Sequence, residues 1–200
     1  MLSDFFREHL AASPVIAIIR GRSVDETLEL AVQCWESGIR LVEVPTQSAM
    51  ALDALAAVAE QANTTERLIG AGTICTPEEV RRAHAAGAAY LVAPGLFPEA
   101  VQTADELSLP TLPGVMTPTE IALAGSMGLT VQKLFPANGL GASGIRTLRG
   151  PFPAVGFVAV GGITPDNAQE FLDAGALGVG VGSALDAPAL AKFAALRAAG

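Results

Sequence analysis

Lysine occurs at only two positions in this 200-residue chain, Lys133 and Lys192. The two stand in opposite settings. Lys192 lies in a polar-tolerant C-terminal helical segment, where water can solvate its ammonium. Lys133 lies in Val131-Gln-Lys-Leu-Phe-Pro136, a run of strand character flanked by apolar residues. Lysine is almost never buried without a partner. Burial disfavours its charged form and lowers its pKa. A neutral amine attacks a ketone and forms an imine, so Lys133 is a candidate nucleophile. The bland alternative is a lysine that faces outward and snorkels between helices, since strand side chains alternate between faces.

Glu43, in Leu41-Val-Glu-Val-Pro45, is the candidate partner. A carboxylate across from an amine can balance its charge or move protons during carbinolamine formation and C–C cleavage. A purely structural ion pair is the alternative. It is a poor way to gain stability, because desolvation offsets most of the Coulomb attraction. Arg20 ends the segment Ile18-Ile-Arg-Gly21, where it can clamp a carboxylate at two points or merely pair at the surface. Val160-Gly161-Gly162-Ile163-Thr164 and Gly180-Val-Gly182-Ser183 are glycine loops that let backbone N–H groups approach an anion. Thr73, Pro94 and Phe135 offer a hydroxyl, a rigid edge and an aromatic face as pocket walls. His9 and His84 fall in predicted helices at surface positions and receive no role.

These residues need elements to hold them. Short apolar runs alternate with helix-period segments along the chain. The predicted strands are Val15–Arg20, Leu41–Pro45, Leu68–Thr73, Tyr90–Pro94, Thr111–Val115, Val131–Phe135, Gly156–Val160 and Gly178–Gly182. About eight βα units in one domain, residues 1–200, predict an α/β fold of the (β/α)8 TIM-barrel type. Ser23-Val-Asp-Glu26, Thr76-Pro-Glu-Glu79 and Thr117-Pro-Thr-Glu120 read as capping boxes. Thr164-Pro-Asp-Asn167 keeps the Thr cap but lacks the Glu. Gly38, Gly87, Gly128 and Gly175 sit where helices should end.

An internal repeat gives the alignment. Counting five residues beyond each of those glycines reaches Glu43, Val92, Lys133 and Gly180. They fall on alternate strands, which in this barrel contribute one interior layer. Glu43 and Lys133 are therefore expected at the barrel centre, with Val92 and Gly180 leaving room between them.

Composition removes other classes. Half the chain is apolar and 16% is charged, so it should fold. The formal net charge of -8 argues against nucleic acid or an anionic membrane surface as the main partner. No apolar run reaches the roughly 20 residues that span a bilayer. Met1–Leu10 has no apolar signal core. Cys34 and Cys75 make neither a disulfide framework nor a metal site. The expectation is a cytoplasmic enzyme for a small substrate, with no metal and no cofactor.

Taken in order, Glu43-Val-Pro, Gly70-Ala-Gly-Thr73, Pro94-Gly95, Lys133-Leu-Phe-Pro136, Gly161-Gly-Ile-Thr-Pro165 and Gly182-Ser183 resemble the motifs of the 2-keto-3-deoxy-6-phosphogluconate and 6-phosphogalactonate aldolases. The resemblance runs over nearly the whole chain, with the final helix least covered. It implies a trimeric class I aldolase, independent of metal, that yields pyruvate and glyceraldehyde 3-phosphate. It implies Lys133 as the Schiff-base lysine and Glu43 as the general acid/base. It implies Thr73, Pro94 and Phe135 around pyruvate, and Gly161, Gly162 and Ser183 at the phosphate. Two departures stand out. Gln47 occupies a position where phosphogluconate-type members often carry Arg, so the carboxylate contact can fall to Arg20. The loop Ala137-Asn-Gly-Leu-Gly-Ala-Ser143 lacks a Glu that often follows Phe-Pro-Ala. Two rivals remain: another phosphate-binding barrel enzyme such as an isomerase or synthase, and a non-catalytic sugar-phosphate-binding module.

Overall fold

The computed structural model describes residues 4–62, 67–182 and 185–196. The elements run α1 (Phe5–Ala12), β1 (Val15–Ile18), α2 (Val24–Glu36), β2 (Leu41–Pro45), α3 (Ala49–Gln61), β3 (Leu68–Gly72), α4 (Pro77–Ala85), β4 (Tyr90–Val92) and α5 (Pro98–Glu106). They continue with β5 (Thr111–Leu112), β6 (Gly114–Val115), α6 (Pro118–Ser126), β7 (Val131–Leu134), α7 (Gly141–Arg149), β8 (Gly156–Val160), α8 (Ala168–Asp173), β9 (Gly178–Val181) and α9 (Ala187–Ala194). The strands pair in the order β5-β4-β3-β2-β1-β9-β8-β7-β6, all parallel.

The sequence predicts one strand over Thr111–Val115, and the structure divides it at Pro113. Proline has no N–H to give the ladder. Its carbonyl still accepts from Lys133 N at 2.8 Å. β5 pairs with β4 and β6 with β7, so this one broken stave joins both ends of the sheet and closes the barrel.

Side chains divide by the strand period of two. Val15, Ala17 and Ile19 face the helices, while Ile16 and Ile18 face the barrel interior. The interior cluster adds Leu41, Tyr90, Val92, Leu112, Val131, Val158 and Val160, with Phe6 and Leu10 from α1. Helix α1 thus plugs the amino-terminal end of the barrel. The Phe6 and Tyr90 rings meet edge to face at 5.6 Å. Tyr90 donates its hydroxyl proton to the Val42 carbonyl at 2.7 Å, and Arg7 Nη2 donates to the Ala154 carbonyl at 2.7 Å. The end is apolar; the buried Tyr90 hydroxyl is paired and Arg7 bonds at its rim, while His9 Nδ1 is buried without a hydrogen-bond partner.

Helix starts follow the expected chemistry. Ser23, Thr76 and Thr117 each form a complete capping box with the Glu three residues on. Thr164 departs from expectation: α8 begins only at Ala168, and Asn167 Oδ1 accepts from Thr164 N at 2.8 Å. The four helix-ending glycines all take positive φ. His9 also departs. It is half-buried with its ring 4.6 Å from that of Phe5, and burial together with Arg40 lowers its pKa. Among the described residues no helix is long and apolar enough to cross a membrane.

Candidate active site at the carboxyl ends of the strands

The glycine-based register holds. Lys133 and Glu43 are 6% and 2% exposed, inside the barrel. Val92 belongs to the interior cluster. A side chain on Gly180 would meet Val160 Cγ2 at 2.7 Å and Ile18 Cδ1 at 3.3 Å, so it too faces inward. Glycine at position 72 is needed for the same reason, since a Cβ there would collide with the Glu43 carboxylate.

Burial dominates the electrostatics of both groups. It lowers the pKa of Lys133, while Glu43 acts the other way and the Arg20 guanidinium lowers it further. It raises the pKa of Glu43, with Lys133 and Arg20 pulling it down. Each group is therefore pushed toward its neutral form, amine and carboxylic acid. The Lys133 Nζ lies 4.9 Å from the centre of the Phe135 ring. That aromatic face favours a cation at the nitrogen. An imine on Lys133 would gain the same stabilisation once protonated.

Above this pair lies a pocket of about 210 Å3. Arg20, Phe135, Gly161, Gly162 and Gly182 line it, together with Ile18, Val160, Ile163 and Gly180. Six residues singled out in the sequence, Gly180 among them, thus share one cavity, and Phe135 bridges it to Lys133. Pro94 stands one stave away from Lys133, across Gly114. Gly114 pairs in register with Lys133, and a Cβ on Gly114 would strike the Pro94 carbonyl. Gln47 is exposed in the β2–α3 loop and is not among the residues lining this pocket. Ser183 lies outside the described residues.

Thr73 stands just past β3 with φ 63°. A β-branched residue in the left-handed region is strained, by about 1–3 kcal/mol. The following backbone holds it there: Ile74 N donates to the Val92 carbonyl at 3.1 Å, and Cys75 N donates to Glu79 Oε2 at 2.7 Å. Cys75 is near enough to Lys133 for their charges to interact. Burial raises the Cys75 pKa first and Glu79 adds to that, while Lys133 opposes both. Sequence reasoning gave Cys75 no part in the site. Its place two residues after Thr73 was the only available signal. Ile18 and Val160 were also missed, although inward alternation at strand ends marks both. Among the described residues no group of three or more His, Cys, Asp or Glu could hold a metal ion.

Comparison with known proteins points one way. The family described as KDPG and KHG aldolase matches residues 6–195. The chain is 36% identical to a 2-dehydro-3-deoxy-phosphogluconate aldolase of Treponema pallidum over 166 residues, 82% of this chain and 78% of that one. It is 34% identical to the 2-dehydro-3-deoxy-6-phosphogalactonate aldolase of Escherichia coli K12 over 173 residues, 86% of this chain and 84% of that one. Among solved structures it resembles a Legionella pneumophila KDPG aldolase with pyruvate captured at low pH as a covalent carbinolamine intermediate. The TM-score is 0.83 at 30% identity, covering 94% of each chain.

Proposed function

Because the chain belongs to the KDPG and KHG aldolase family, we propose that it is a class I aldolase whose imine forms on Lys133. Its substrate is 2-dehydro-3-deoxy-6-phosphogluconate or the 6-phosphogalactonate epimer. Its products are pyruvate and D-glyceraldehyde 3-phosphate, and 4-hydroxy-2-oxoglutarate is a further candidate substrate. One observation carries this reading: a buried lysine, pushed toward its neutral amine, faces a buried carboxyl pushed toward its acid form.

The chemistry follows from that pair. Neutral Lys133 attacks the C2 ketone. Protonated Glu43 gives its proton to the departing hydroxyl of the carbinolamine. The resulting iminium lies against the Phe135 ring and draws electrons as the C3–C4 bond breaks. The C4 hydroxyl gives its proton to the Glu43 carboxylate as the aldehyde forms, and Glu43 can return it to the enamine carbon. The enamine left on Lys133 is protonated and hydrolysed, which frees pyruvate and the amine. Arg20 is the better-placed group for the substrate carboxylate, because it lines the pocket and Gln47 does not. Thr73 and Pro94 flank the pyruvate end. Gly161, Gly162, Gly182 and Ser183 take the phosphate. The working unit is one domain over residues 1–200, acting as a homotrimer in the cytoplasm. Light scattering of the purified protein should give the mass of three chains.

The test is trapping with pyruvate and sodium borohydride, read by intact mass and peptide map. The expected adduct adds about 72 Da at Lys133. Lys133→Ala should lose both the adduct and the cleavage. A folded protein that forms no adduct at saturating pyruvate would instead favour a phosphate-binding isomerase or synthase.

A further inference from the structure

Three βα turns in this molecule are written alike: Cys75-Thr-Pro-Glu-Glu79, Met116-Thr-Pro-Thr-Glu120 and Ile163-Thr-Pro-Asp-Asn167. In the first two, a carboxylate takes both N–H groups that enter the turn. Glu79 Oε2 accepts from Cys75 N at 2.7 Å and from Thr76 N at 3.0 Å. Glu120 Oε2 accepts from Met116 N and Thr117 N, at 2.9 Å each. The third turn ends in a shorter side chain with an amide. Asn167 Oδ1 accepts from Thr164 N at 2.8 Å, and its Nδ2 donates to the Gly162 carbonyl at 2.9 Å. A carboxylate cannot make that second bond, because it has no proton to donate.

This exchange reorients a peptide. A trans peptide holds its N–H opposite its C=O. Tying the Gly162 carbonyl to Asn167 therefore turns the Ile163 N–H away from the helix. On the other side, Asn138 N donates to the Gly161 carbonyl at 3.1 Å, which turns the Gly162 N–H away from Asn138. Gly161 and Gly162 have φ of 99° and 74°, which lets the backbone make this turn. Gly161, Gly162 and Ile163 line the same pocket as Arg20.

We propose that Asn167 is a positioning residue for the phosphate end of the substrate. Its amide fixes the Gly162–Ile163 peptide so that the Ile163 N–H remains available to an anion. Glutamate in its place would occupy that N–H, as in the two sister turns, and would set a negative charge beside the phosphate. The inference rests on the phosphorylated-substrate reading above.

The experiment compares kcat and KM for the phosphorylated sugar acid and for the same acid without its phosphate. Asn167→Ala removes both hydrogen bonds without adding charge. Asn167→Glu copies the residue that already closes the two sister turns, and so guards against a folding defect. Both variants should raise KM for the phosphorylated acid about tenfold or more, the scale of one lost hydrogen bond to a charged group. Both should leave kcat, pyruvate trapping and KM for the unphosphorylated acid unchanged. Equal losses on both substrates, or no loss on either, would overturn the positioning role while leaving the aldolase reading intact. Wild-type protein that binds both acids equally would remove the phosphate subsite itself, and this role with it.

Discussion

The two ends of the barrel use the same strands for opposite purposes. At the amino-terminal end, Tyr90 and Leu41 meet Phe6 and Leu10 in an apolar plug, with the Tyr90 hydroxyl paired to Val42. A few residues further along the strands, the interior holds Glu43 and Lys133, and both are disfavoured as ions. Thr73 there is left-handed, and two consecutive glycines follow β8 with positive φ. One end follows the rules of stable packing. The other departs from them at each place where chemistry is proposed. Barrels of this type separate stability from activity along their axis in this way.

Substitutions at the two ends should separate cleanly. The largest effect is expected at the upper end. Glu43→Gln should slow cleavage by about 100- to 10,000-fold, as losses of general acid–base catalysis do, without lowering the melting temperature. Turnover within a few-fold of wild type would reduce Glu43 to a structural group. At the lower end, Phe6→Ala should cost about 3–5 kcal/mol of stability in denaturant unfolding, with kcat unchanged. A matching fall in kcat would show that the plug reaches the chemistry. The smallest effect tests the fields within the upper end. Arg20 lowers the pKa of both Lys133 and Glu43. Its removal in Arg20→Ala should raise both. Imine formation needs neutral Lys133, so the acid limb of the trapping rate should move to higher pH. An unshifted limb would mean that solvent screens Arg20 from the pair.

Much of the upper end was legible because it breaks local rules. Lys133 stands out as a lysine in an apolar strand, and a count from helix-ending glycines turned it and Glu43 inward. The capping boxes at Ser23, Thr76 and Thr117 fixed where helices start. What escaped was the end of five of the strands, while β2 and β8 end where expected. The sequence extends β1, β3, β4, β7 and β9 through Arg20, Thr73, Pro94, Phe135 and Gly182, but each of these strands ends one or two residues earlier. Alternation of apolar residues cannot mark that point, because it reports facing and not hydrogen bonding. The plug was hidden for another reason. Asp4, Arg7 and Glu8 make the first ten residues look polar, while Phe6 and Leu10 carry the burial. The part played by Asn167 shows only once the three turns are laid side by side, since its meaning lies in one extra donor.

The plug at the lower end also sets an order of departure. With α1 packed into the amino-terminal end of the tube, the other end is the doorway, and the glycine loops proposed for the phosphate stand there, beyond Lys133. A two-product cleavage in such a tube behaves as a last-in, first-out stack. The aldehyde phosphate, nearer the doorway, must leave before water can reach the enamine on Lys133. In the synthetic direction pyruvate must enter first, and an aldehyde phosphate arriving early would block its path as a dead-end inhibitor.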